Sequence, residues 1–245
     1  MHLFSKGFNV LGDSLVKPKY VNKREKSMRL KVFMVVVSLT LLINISGCKP
    51  AKMEIEVYTS DIQKASSEGV VKLPLTATFS MMGEDTEGVL PKAKAVAKRY
   101  LNDKAEFKFS KGDWGDVMVI KCTVPMGTAA ALKTYLAKNH RPFALTIDKS
   151  TVTLDKTEHL ERLSQDLSGI NMMLGAELPA NSTMIRFVGD LEKGPEIMAI
   201  AVFSDNKPEL IFRQAVDRRQ NVEIDYRGGD GSVYSELPPQ FAFKF

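Results

Sequence analysis

At 245 residues, 44% hydrophobic and 26% charged, the chain has the composition of a globular protein and lies outside the disordered class. Its net charge of +5 is unevenly placed: residues 1–47 hold eight basic residues against two acidic ones, +6, which leaves −1 for residues 48–245. A nucleic-acid-binding reading of the larger part therefore loses its main support.

In chain order, residues 1–27 show no helical or strand period and are read as a non-native or extended N-terminal region, because a secretory signal begins at Met28. "MRLKVFMVVVSLTLLINISGC" supplies Arg29 and Lys31 as a positive start. An apolar core follows from Val32 to Ile43, and then small residues precede Cys48. The core is too short for a transmembrane helix, which needs roughly 20 apolar residues. Ile45-Ser46-Gly47-Cys48 resembles the lipobox of bacterial lipoproteins, so residues 28–47 are identified as a lipoprotein signal peptide. The resemblance implies cleavage between Gly47 and Cys48, with diacylglycerol and an N-acyl chain carried on Cys48. It implies a mature domain, 48–245, held on a membrane by that anchor. Lys49 in place of aspartate implies the periplasmic side of the outer membrane in a Gram-negative envelope. In a Gram-positive one the place is the outer face of the cytoplasmic membrane. With Cys48 lipidated, Cys122 has no cysteine left for an intramolecular disulfide and is read as a small buried hydrophobe.

The first predicted strand, "KMEIEVY", starts at Lys52, so the domain is expected close to the bilayer. "VKLPLTATFSM" alternates over eleven residues as a half-buried strand, and Pro74 inside it argues for an edge or a bulge. "LPKAKAVAKRYLN" switches to helical period. "AEFKFS" and "DVMVIKCTV" are predicted to form a hairpin around "KGDWG". A helix over about 128–138 precedes a second hairpin, "FALTI" with "TVTLD". The strongest helical stripe is "TEHLERLSQDLSGINMML", with Asp155 and Thr157 as candidate caps. "TMIRFVGD" and "EIMAIAVFS" are read as another hairpin, and "ELIFRQAV", "NVEIDYR" and "FAFKF" complete the strands. This order predicts an α+β fold, antiparallel sheets with helices packed on one face, in two ββαββ-like halves with a subdivision near 126–142.

Signals of chemistry are sparse. His140 and His159 are each read as a surface or capping residue, and no zinc-binding His-Glu-x-x-His spacing or Gly-x-Ser-x-Gly elbow is present. No metal and no cofactor beyond the Cys48 lipid is expected. "DYRGGDGSVY" sets Asp225, Asp230 and Ser232 around glycines, either as a flexible turn or as a loop for an ion or anion. Trp114 in its glycine-flanked turn either folds back on the sheet or meets a partner. These features predict a non-enzymatic envelope protein that binds another macromolecule, with an envelope protein as partner, the membrane reached through the anchor, and no nucleic acid. Carriage of a lipid or other apolar ligand is the alternative, with weak support from methionines such as Met172 and Met173. An envelope hydrolase is the third reading.

Overall fold

The computed structural model describes residues 52–67, 69–81, 88–101, 104–112, 115–170, 182–227 and 238–245. All lie in one compact unit that spans Ser46–Phe245. The strands are β1 (Lys52–Tyr58), β2 (Val71–Met81), β3 (Glu106–Gly112), β4 (Gly115–Thr128), β5 (Phe143–Asp148) and β6 (Thr151–Lys156). They continue with β7 (Ser182–Val188), β8 (Glu196–Ser204), β9 (Lys207–Ala215), β10 (Asn221–Arg227) and β11 (Gln240–Lys244). The helices are α1 (Thr59–Ser67), α2 (Val89–Leu101), α3 (Ala129–Leu136) and α4 (Glu158–Ser168).

The strands pair in the order β10-β7-β1-β2-β4-β5-β6-β11-β8, and Asp225 opposite Phe203 brings β8 back to β10. The result is a closed nine-stranded barrel, with β3 added to β4 and β9 added to β8 outside the ring. β1–β7 and β4–β5 are the parallel pairs; the other pairings are antiparallel. Ala201, at a φ of 53°, turns β8 between the half that pairs with β11 and the half that meets β10.

Alternating residues fill the barrel: Ile55, Leu73, Leu145, Val152, Ile185 and Ile224 are all fully buried. Phe187 on β7 and Phe241 on β11 meet edge to face with centroids 4.8 Å apart, although two strands separate them in the ring. That contact crosses the interior, so the barrel is a side-chain core. α1 adds Ile62 and Ala65 to this core. Its first turn is held from far along the chain by Asp190, which accepts from the Thr59 hydroxyl (2.8 Å), the Ser60 amide (2.9 Å) and the Ser60 hydroxyl.

The expected α+β arrangement is corrected by this closure. Alternation in a strand reports one buried face without saying what covers it; the opposite barrel wall does so here, where a helix layer was expected. The two-halves reading falls for the same reason. β7 and β8 do not pair: β7 lies between β1 and β10, and β8 joins β11, β9 and β10. Their connection lies instead on the 216–220 segment, with the Gly189 amide donating to the Gln220 carbonyl at 2.8 Å. A Cβ at Gly189 would stand 1.9 Å from the Asp217 carbonyl oxygen, so only glycine allows that approach.

Other expectations meet a more local outcome. β2 is an interior strand and not an edge, but its ladder with β1 ends at Ile55–Leu75, one residue before Pro74, so the missing donor is tolerated. The hairpins β3–β4 and β5–β6 form as predicted, and the helices at 89–101 and 129–136 fall within a residue or two of their expected places. α4 begins after Thr157, whose hydroxyl accepts from the His159 amide; the predicted extension past residue 170 lies outside the described residues. α1 had no sequence-based expectation. Its mean apolar content is low, and only Ile62 and Ala65 reach the core.

Candidate functional site

Of the residues singled out by sequence, Gly47, Cys48, Trp114, Asp230 and Ser232 lie outside the described residues. Asp225 is described, and it sits inside β10 instead of in a loop. Its carboxylate accepts from the Ser182 hydroxyl at 2.6 Å and from Arg227 Nε at 2.6 Å. Arg227 reaches onward: its guanidinium lies 4.4 Å from the centroid of the Phe203 ring, and Nη2 donates to Asn206 Oδ1 at 2.6 Å. Asp225 thus orients an arginine that fastens the tip of the β8–β9 hairpin to β10. Cys122 is a free thiol half-buried on β4, and burial pushes its pKa up to about 12 despite nearby Arg141. Burial thus disfavours the thiolate, the nucleophilic form of the side chain.

The structure brings together two histidines that sequence reading had set apart. His140, after α3, stacks on His159 in the first turn of α4, with centroids 4.7 Å apart and planes 24° from parallel. His159 is 5% exposed, contrary to the surface reading, because α4 lies with its first turn against the end of α3. Burial lowers its pKa, and His140 and Arg162 act in the same direction; Glu158 and the Leu136 carbonyl oppose them. Its Nδ1 is buried without a hydrogen-bond partner. The pair lines an open groove of about 650 Å³ whose rim mixes Lys133, Lys156 and Arg162 with Asp155 and Glu158. The groove lining holds no serine or cysteine, and its Thr157 hydroxyl is already engaged, donating to the Arg141 carbonyl. Among the described residues, no cluster of three or more His, Cys, Asp or Glu could hold a metal ion. Among the described residues the groove thus joins two imidazoles to charged side chains, with the Thr146 hydroxyl also in its lining.

The second feature is the β8–β9 ribbon. Ser204 and Lys207 close it around Asp205 and Asn206, both at positive φ, the conformation of a two-residue primed turn. Among the described residues, β9 pairs on one side only, with β8. Ile200 on β8 is directly opposite Ile211 on β9, and they are 53% and 72% exposed. Leu210 is 72% exposed as well, whereas Phe212 is buried. Exposed apolar side chains beside an unpaired strand edge form a ready template for another strand. Among the described residues β3 also pairs on one side only, with β4, and its exposed side chains mix Glu106 and Lys108 with Phe109, which is 42% exposed.

Sequence reading missed this surface, though a signal existed. Leu210-Ile211-Phe212 is three apolar residues in a row, which a strand with one buried face cannot bury together. No protein-family model, curated protein or solved structure matches this chain.

Proposed function

We propose that this chain is a lipid-anchored bacterial envelope protein that performs no chemistry of its own and binds another protein by strand addition along the free edge of β9. The observation that carries the reading is the exposed, apolar and unpaired β8–β9 ribbon, with Ile200, Leu210 and Ile211 beside an open ladder. The lipobox at Ile45–Cys48 supports the anchor, and the short interval from Cys48 to Lys52 keeps the barrel near the bilayer surface. The side-chain core filling the barrel weighs against carriage of an apolar ligand along the barrel axis.

The test is a photo-reactive amino acid placed at position 210 in the full-length lipoprotein, illuminated in intact cells. The expected result is a discrete protein adduct that disappears with Ile211→Lys and is absent when the probe sits at position 108 on the β3 edge. Adducts from position 133 in the histidine groove, with none from 210, would move the contact to the groove. Stoichiometric lipid extracted with the protein, and no protein adduct, would instead support the carrier.

A further inference from the structure

The edge strand β9 is complementary to itself. Laid antiparallel to a second β9 with Ile211 on the two-fold axis, Glu209 of each copy falls opposite Arg213 of the other, and Leu210 falls opposite Phe212. A shift of one residue either way sets Glu209 against Phe212 or Gln214 and loses both charge pairs, so charge selects a single register. Because Ile200 is already in register with Ile211, the paired ribbons would align four isoleucines in one row across one face. Arg213 is held in place beforehand by Glu196, through contacts of 2.7 and 2.9 Å, so it meets the incoming Glu209 with its guanidinium already oriented.

We infer that the strand added at this edge belongs to a second copy of the chain, giving a continuous β8–β9–β9–β8 sheet about a two-fold axis through Ile211. This rests on the strand-addition reading above. An antiparallel two-fold contact is self-matching by symmetry and closes without leaving a second free edge on β9. One pair of nine-residue strands is a small interface beside the roughly 1,000 Å² or more of stable soluble complexes. Confinement on a membrane by the Cys48 lipid raises the effective concentration enough for such a contact to hold.

The test uses the full-length lipoprotein in its oxidising envelope, with single cysteines introduced by Ile211→Cys, Leu210→Cys and Lys108→Cys. Directly opposed residues in an antiparallel pair have Cα atoms about 4.5–5.5 Å apart, within the range a disulfide spans. Ile211→Cys should give a reducible homodimer, while Leu210→Cys, which faces Phe212, and Lys108→Cys should stay monomeric. Glu209→Arg and Arg213→Glu, each combined with Ile211→Cys, should lose the dimer when expressed alone. Co-expressed with different tags, the two variants should recover it as a heterodimer, because every arginine at these two positions then lies opposite a glutamate of the other copy. Equal crosslinking at all three cysteine positions would reveal random collision and overturn the inference. No dimer at 211, together with a 210 photo-adduct to a different protein, would overturn the second copy and leave strand addition standing. Loss of both signals would overturn both.

Discussion

His140 and His159 stack with ring centroids 4.7 Å apart, and the surroundings of the buried member, His159, favour its neutral form. Burial comes first among the causes, with the His140 and Arg162 charges adding to it and Glu158 and the Leu136 carbonyl acting against it. Asp155, Lys156 and Lys133 line the same groove. The folded pKa thus lies below the ordinary 6.5. Between those two values the unfolded chain takes up a proton that the folded one refuses, so this contribution to stability is full above pH 6.5 and falls as the pH drops. Thermal melts from pH 7.5 to 5 should show a falling Tm in the parent protein. The slope should flatten in His159→Phe, and should weaken in His140→Ala, which removes the like charge. A pH-independent Tm in the parent would show that His159 does not titrate as its surroundings dictate.

Asp190 fixes the start of α1 from more than a hundred residues away. Burial acts to raise its pKa, but the hydrogen bonds from Ser60 and Thr59 outweigh it and hold the carboxyl below its usual range. Asp190→Ala should cost about 1–2 kcal/mol in urea unfolding at neutral pH, as for loss of a helix cap. The sign is the same as for the histidine, because both pKa values are lowered by folding, and only the pH window differs: the carboxylate's contribution is present above the ordinary value of 3.8 and disappears as the pH falls through the lower folded value, where parent and variant should converge.

Phe187→Ala should cost about 3–5 kcal/mol, because it removes a fully buried ring whose contact with Phe241 spans the barrel. Phe245→Ala should cost about 0.5 kcal/mol or less, since that ring is largely exposed at the chain end. Chemical denaturation of the two variants against the parent decides it; similar losses would mean that the interior of the barrel is loosely filled.

Cys48→Ser should abolish incorporation of labelled fatty acid and move the protein out of the detergent-soluble membrane fraction. Retained labelling in that variant would place the acyl group elsewhere.

Much of the strand content was legible because side chains alternate along a strand with a period of two whatever lies beyond it. β1, β2 and the β5–β6 hairpin were read almost to the residue. The barrel was not legible. Its closure depends on β10 meeting β8 at Asp225–Phe203 and on Ala201 turning the strand between its two partners, neither of which leaves a periodic trace. The same holds for the binding surface. Leu210 and Ile211 carry the mark of a strand in the sequence; that no other described strand pairs with their edge is a property of the sheet order. Asp225 was noticed as a ligand-type residue, but its partners Ser182 and Arg227 give it a fastening role that glycine-rich spacing does not reveal.

By itself, the sequence determined the local properties of this protein: the charge balance of its parts, and which segments extend and which coil. These depend on covalent order and on neighbours a few residues away. The tertiary structure alone decided that the strands close on themselves, that His140 and His159 share a groove, and that among the described residues β9 pairs on one side only. Those outcomes depend on which distant segments meet, and contacts such as Asp190 to Ser60 or Phe187 to Phe241 have no representation in a local pattern.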